Sequence, residues 1–310
     1  MNTDYKNLLD ELLTITIEEN ASDLHVTVGR FQTLRIDGAL IPLTRKKILT
    51  ADDCRGIAMA LMMPQQQEQF LQVKEYDFSY EFKGDARFRV NAYFQQGVIS
   101  VAMRFIPPNI RTVEELGLPP IVHEFSKPSQ GFFLIVGPSG HGKSTTLAAV
   151  VDEINHTRAD HIITIEDPIE YVFKQDRSII DQREVFRDTA SFSSALRAAF
   201  RQDPDVIMVG EMRDLETIST AITAAETGHL VFGTLHTNDA AQTIHRILDI
   251  FPPQQQVQIR SQLAATLLGI VSQRLIPKIG GGLMPACEIL LANSAVGNLI
   301  RENKIHEIDL

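Results

Sequence analysis

The chain has 310 residues, room for two domains with a core each, and its 44% apolar and 22% charged residues are those of an ordinary globular protein. A formal net charge of −10 opposes broad binding to a nucleic-acid backbone, and Cys54 and Cys287 form no CxxC pair, which speaks against a zinc site or a disulfide framework and for a reducing compartment. No apolar run approaches the ~20 residues of a membrane span, and the acidic, amphipathic start is no signal peptide, so a cytoplasmic protein that meets membranes only through partners is expected.

Asp4–Asn20 has the spacing of an amphipathic helix. Short alternating stretches follow at Asp23–Val26 and Thr33–Asp37, the second ending at Gly38. Ala51–Met63 reads as a helix stopped by Pro64, and Gln65–Val73 as a second one started by it. Three strands are predicted at Tyr76–Phe82, Ala86–Phe94 and Val98–Ile106, with hairpin turns at Gly84-Asp85 and Gln95-Gln96-Gly97. This half is predicted to be a small α+β domain over residues 1–107. Pro107-Pro108-Asn-Ile-Arg111 is stiff and non-helical and opens a linker over 108–117, within which Thr112-Val-Glu-Glu115 is a capping box.

From residue 118 on the pattern becomes strand–helix alternation. Strands are expected at Phe132–Val136, His161–Ile165, Val206–Val209 and Leu230–Leu235, and helices at Ser144–Asn155, Ser191–Phe200 and Asp214–Glu226. That is a doubly wound α/β domain. Beyond it, Asp239–Ile250, Gln254–Val271 and Ser294–Arg301 read as helices, with a strand pair around Arg274–Pro277 and Met284–Leu290.

Gly131–Thr146, GFFLIVGPSGHGKSTT, is a buried strand, a glycine-rich loop and a helix start. Its loop, Gly137-Pro138-Ser139-Gly140-His141-Gly142-Lys143-Ser144, fits G-x-x-x-x-G-K-[ST], and Thr145 follows. Backbone N–H groups there point at anionic oxygens and the helix dipole adds to them. Lys143 reaches β- and γ-phosphates, and the Ser144 hydroxyl is placed for Mg²⁺. His141 stands where a small residue is more usual; of the two roles open to it, donor to a phosphate or solvent-facing side chain, the second is expected, because Lys143 already supplies the cation.

Ligands in open α/β sheets gather beyond the carboxyl ends of the strands. There the sequence has Glu166, Asp167 and Glu170 after one strand, Glu211 after another, and His236 after a third. Glu211 holds the position that binds Mg²⁺ directly or through water. One acid of the Glu166–Glu170 box is to orient or deprotonate a water, and His236 is placed to sense a γ-phosphate. His229 lies at the opposite end of its strand, ~20 Å away at ~3.3 Å per residue, so it is structural or acts across an interface. Arg87 and Arg89 share one strand face and Arg104 neighbours them, which on composition alone is a solvated face; Arg213 is a further candidate.

Gly137–Thr146, His161–Tyr171, Asp203–Asp214 and Ala224–Thr237 together resemble the four nucleotide boxes of the secretion-superfamily ATPases, and among them the type IV pilus retraction ATPases. Ala21-Ser-Asp-Leu-His25, Arg35-Ile-Asp-Gly38 and Ser294–Glu302 carry the resemblance across nearly the whole chain. It implies an α/β fold class with a PAS-like N-terminal domain and a RecA-like P-loop ATPase domain, and six subunits in a ring. It also implies Mg²⁺ with ATP as substrate, Glu170 as general base, Glu211 as the Walker B acid, and His229 and His236 as the histidine box. The arginines of the first domain then become candidates to reach ATP, Arg87, Arg89 and Arg104 acting in trans. The implied function is depolymerisation of a pilus through an inner-membrane platform protein, at the inner face of the cytoplasmic membrane, with related pilus ATPases as possible partners. Two departures stand out: Gly297 replaces an arginine of the family's tail motif, and the chain stops at Leu310, short of the family's usual further helices.

Alternatives are an assembly or secretion ATPase, a nucleic-acid motor on the same core, and a regulator without turnover. The first lacks a tetracysteine motif and a long N-terminal extension here, the second is opposed by charge, and the third by the presence of both Glu170 and Glu211.

Overall fold

The computed structural model describes residues 4–84, 86–107 and 109–308, and the chain divides into two compact units at Asn109/Ile110. Asp85 and Pro108, parts of the expected first hairpin turn and of the linker, lie outside the described residues.

In the first unit Asp4 caps α1 (Tyr5–Glu18) by accepting from the backbone N–H groups of Lys6 and Asn7. Thr50 and Asp53 form a capping box on α2 (Ala51–Leu61), and Pro64 starts α3 (Pro64–Val73). The strands are β1 (Asp23–Val26), β2 (Thr33–Ile36), β3 (Ala39–Pro42), β4 (Glu75–Phe82), β5 (Ala86–Gln95) and β6 (Val98–Ile106). They form an antiparallel sheet in the order β3-β2-β1-β6-β5-β4. One face buries Leu24, Phe88, Val90 and Met103 with Leu9, Leu12 and Leu13 of α1 and Ile57 of α2. β3 was not expected from the sequence; all four of its residues are exposed, so nothing in them alternates.

The second unit is built on a seven-stranded sheet: β7 (Gly131–Val136), β8 (His161–Glu166), β9 (Ile179–Glu184), β10 (Val206–Val209), β11 (Leu230–Leu235), β12 (Leu267–Pro277) and β13 (Leu283–Leu291). The order is β13-β12-β7-β11-β10-β8-β9, parallel except for the antiparallel β12–β13 hairpin. Alternate residues of β7 feed two cores, as the period of two requires. Phe132, Leu134 and Val136 join the cluster of α6 (Leu215–Glu226), α7 (Ala240–Asp249) and α8 (Pro253–Thr266), whereas Phe133 and Ile135 pack with Leu147, Val150 and Ile154 of α4 (Lys143–Thr157). α5 (Phe192–Ala199) and α9 (Ser294–Arg301) complete the α-helices of the described residues.

Three expectations are corrected. The helix read over Gln254–Val271 ends at Thr266, and Leu267–Gln273 is the buried half of β12, paired with β7 on one side and β13 on the other. A strand covered on both edges and both faces shows a continuous apolar run, which periodicity cannot tell from a buried helix. β9, an edge strand rich in polar residues, was missed for the opposite reason. The segment read as linker over 108–117 packs in the second unit from Ile110 on, with Val113 in the core beside Phe125 and Phe133. Its capping box is present, Thr112 and Glu115 exchanging hydrogen bonds, yet a turn and then a 3-10 helix over Pro120–Phe125 follow it, with no α-helix. His123 holds this segment down: its two ring nitrogens lie 2.8 Å from Glu114 and 2.8 Å from Glu153 of α4. Gly297 lets α9 lie close on α8, since a Cβ there would stand 3.1 Å from the Ala264 carbonyl oxygen.

Candidate nucleotide site

β7 ends at Val136 and the chain leaves it through a loop that only glycine permits at two points. A Cβ on Gly137 would lie 2.3 Å from the backbone oxygen of Gln273 in β12, and Gly142 takes φ +80° at the N-cap of α4. No side chain caps that helix, so its first N–H groups remain available to an anion. Lys143, 7% exposed, donates to the carbonyl oxygens of Gly137 at 2.7 Å and Pro138 at 2.9 Å. Burial pulls its ammonium below the usual lysine range, against the pull of Glu211 and Glu170.

The neighbouring strand ends converge on this loop. His236, just past β11, places Nδ1 3.4 Å from Lys143 Nζ and 3.4 Å from Ser139 Oγ, and Nε2 2.8 Å from Glu211 Oε1. A neutral ring with its proton on Nε2 accepts from Lys143 and donates to Glu211. Glu211, past β10, also receives a bidentate pair from Arg213, whose Nη2 is 2.6 Å from Oε2 and whose Nε meets Oε1. Burial alone would raise the Glu211 carboxyl; Arg213 and His236 outweigh it and hold it below the usual range. Ser139, Glu211, Arg213 and His236 border an open cleft of about 630 Å³ that Arg246 of α7 also lines.

Glu166 is the last residue of β8, 7% exposed, and its Oε1 accepts from Thr164 Oγ1 at 2.6 Å and Gln182 Nε2 at 3.1 Å. Burial pushes its carboxyl up to about 7 despite those hydrogen bonds. Glu170 is half-buried further along, and Tyr171 next to it meets Thr145 of α4 at 2.9 Å. Ser144 is exposed in the first turn of α4.

One predicted group lies apart from this cluster within the second unit. His229 is at the far end of β11, with Nδ1 2.9 Å from the Ala224 carbonyl oxygen and its ring edge-on to Phe200 at 5.6 Å. Arg87, Arg89 and Arg104 belong to the first unit. Arg89 stands directly opposite Arg104, and Asp23 faces Arg104 on its other side, so these residues make one row across β5, β6 and β1. Arg104 Nε donates to Asp23 Oδ1 at 3.0 Å, and Arg87 Nη2 donates to Ser79 Oγ at 3.2 Å. His141, expected to face solvent, is corrected: its Nδ1 accepts from the backbone N–H of Leu275 at 2.9 Å. Sequence reading missed Gln273, 2% exposed, which donates to the His141 carbonyl at 2.8 Å and accepts from Thr146 Oγ1 at 2.7 Å. It missed Arg246 as well, because a charged helix position looks like a solvated face.

A glycine loop after a parallel strand, with a buried lysine and with acid and imidazole on neighbouring strand ends, defines a P-loop nucleotide-binding protein. The relatives narrow this: residues 3–306 match the type II/IV secretion system protein family, to which the chain belongs. The type IV pilus retraction ATPase PilT of Pseudomonas aeruginosa is 47% identical over 305 residues, 97% of this chain and 87% of that protein. A twitching motility protein of Neisseria gonorrhoeae is 48% identical over 262 residues, 84% of this chain and 70% of that one. The crystal structure of the pilus retraction motor PilT with bound ADP matches at a TM-score of 0.91 and 51% identity, covering 96% of this chain and 87% of that chain.

Proposed function

We propose that the chain is a motor ATPase that hydrolyses Mg·ATP to retract a type IV pilus, driving twitching motility. The observation that carries the reading is the meeting of Lys143, His236 and Glu211 at the ends of three adjacent strand–loop units, in a chain whose relatives include retraction ATPases. The first unit is PAS-like and the second RecA-like in this reading. Six copies form a ring in the cytoplasm, at the inner face of the membrane, against a platform protein, with related pilus ATPases as further partners. No helix of the described residues is long and apolar enough to cross a membrane.

The phosphate chain lies on the backbone N–H groups of residues 139–145, and Lys143 exchanges the carbonyls of Gly137 and Pro138 for β/γ oxygens. Glu170 orients and deprotonates the attacking water. Glu166, neutral over part of the physiological range, supports Glu170 without adding a second charge. His236 links the lysine to Glu211 and registers the γ-phosphate. Among the described residues no three His, Cys, Asp or Glu side chains form a metal cage. The hydroxyl of Ser144 and the ionised carboxylate of Glu211 are nonetheless hard oxygen donors, few in number, as suits Mg²⁺ held mainly by phosphates and water. When bound, Mg²⁺ would supply positive charge against the phosphates. Arg89, with Arg87 and Arg104, serves the nucleotide of a neighbouring subunit, and His229 serves the subunit boundary.

The test is steady-state hydrolysis by Glu170→Gln and Glu211→Gln over a range of Mg²⁺, with twitching scored in cells carrying each. Glu170→Gln is expected to bind Mg·ATP and lose turnover at every Mg²⁺ concentration, while Glu211→Gln recovers partly as Mg²⁺ rises. Superimposable magnesium curves would refute the division of duties. Hydrolysis stimulated by DNA, with normal twitching in a strain lacking the gene, would refute the motor reading.

A further inference from the structure

The phosphate loop does not stand alone past the end of its strand. The β7–β12 ladder stops at the pair Ser272–Val136, after which β12 runs on for five residues while the β7 chain turns away into the loop. On the flank that β7 vacates, the backbone N–H of Leu275 finds the imidazole of His141, donating to Nδ1 at 2.9 Å. One step back, the Gln273 side chain donates to the His141 carbonyl and accepts from Thr146, so loop and first helical turn are tied to the same strand. The fit is tight: a Cβ on Gly142 would come within 2.9 Å of Gln273 Nε2 and 3.7 Å of the Leu275 side chain. The G-x-x-x-x-G-K-[ST] pattern asks nothing particular of position 141, so the imidazole there serves something other than the pattern itself.

We propose that His141 is a positioning residue that clamps the phosphate loop to β12 by standing in for the missing β7 backbone as acceptor for Leu275. The inference rests on the ATPase reading only for what the clamp serves; the clamp itself is a property of the free chain. Imidazole Nδ1 is the acceptor, so the ring is neutral with its proton on Nε2, directed away from Leu275. It contacts β12 and not the phosphates, and it therefore acts through the shape of the loop. A cradle whose N–H groups must sit within about 0.5 Å of their places loses affinity when one of its two tethers is cut. Because the cradle holds phosphate in ground state and transition state alike, the loss falls on KM and not on kcat.

The experiment compares four full-length proteins: wild type, His141→Ser, His141→Asn and His141→Gln. Asparagine places its side-chain oxygen near where Nδ1 was, serine has no acceptor that far out, and glutamine carries its oxygen one bond beyond. Steady-state hydrolysis is expected to show KM for ATP raised about five- to tenfold in Ser and Gln, kcat within twofold, and KM largely restored in Asn. In parallel, deuterium exchange of the segment Gln273–Pro277 is measured without nucleotide, and it should quicken about fivefold in Ser and Gln and return to the wild-type rate in Asn. Thermal midpoints establish that each variant folds. Exchange needs no turnover, so it decides the clamp even if the chain proves not to hydrolyse ATP, and that failure would count against the ATPase reading alone. Asn behaving like Ser in exchange, or exchange unchanged in all variants, overturns the clamp. Rescue of KM by Gln but not Asn, with exchange unchanged, would assign the imidazole to the phosphates and overturn it as well.

Discussion

Glu166→Gln separates the cost of burying a carboxyl from its use. The side chain sits at the end of β8 with Oε1 accepting from Thr164 and Gln182. Glutamine keeps a carbonyl oxygen for Thr164 and Gln182 and removes the ionisation. Burial raises the folded carboxyl from the ordinary 4.5 to about 7. A group that holds its proton more tightly when folded stabilises fully below the unfolded value, and the benefit is lost as pH climbs from about 4.5 to about 7. At about 1.4 kcal/mol per pH decade the gap is worth about 3 kcal/mol, an upper figure. The variant should therefore come nearest the wild type at pH 5 and exceed it increasingly up to pH 8, where its thermal midpoint is about 6–10 °C higher. The assay is thermal unfolding of both proteins at pH 5, 6, 7 and 8. Parallel pH curves would refute the reasoning, because they would mean that the carboxyl titrates alike in folded and unfolded chains.

Lys143→Ala should fold and lose hydrolysis, since among the described residues no other buried ammonium faces the loop; near-normal turnover by the purified variant would reject the phosphate-loop assignment. Arg89→Ala should also fold and lose turnover, and mixing it with Lys143→Ala should restore part of the activity, because some sites then combine an intact loop with an intact arginine. No recovery in mixed rings verified by mass would leave the arginine row a structural feature. His123→Ala should lower the thermal midpoint more at pH 6 than at pH 8.5. Glu153, helped by Glu114 and opposed by burial, holds the imidazole above its usual range, so its contribution is full in acid and is lost as pH rises through that raised value. A pH-independent difference would contradict the ion-paired clasp.

The parts of the chain legible in its sequence are those where one local rule settles the matter. β7 and its loop could be read because a short apolar run, spaced glycines and a lysine leave little else to build. The acids past β8 and β10 and the histidine past β11 followed from the rule that parallel strands present their carboxyl ends together. What escaped depends on partners distant in sequence. The first half of β12, up to Val271, read as helix because its apolar run is explained only by β7 and β13 beside it, whereas its end at Arg274–Pro277 was legible as a strand. Gln273 carries no local signal at all: its worth comes from lying within reach of residues 141 and 146, more than a hundred positions away. His141 misled for a related reason, its acceptor having been judged without the backbone N–H that meets it.

β11 has both histidines at its ends, His229 before Leu230 and His236 after Leu235. Each residue of this strand between them is buried, and the strand is laddered to β10 on one side and β7 on the other. To slide by one place it would have to break both ladders and turn every side chain to the opposite face. The strand is thus a stiff rod of fixed length, far less compliant than a surface loop of the same span. The spacing between its two imidazole-bearing ends is therefore set by the sheet, and changing it would require both ladders to break.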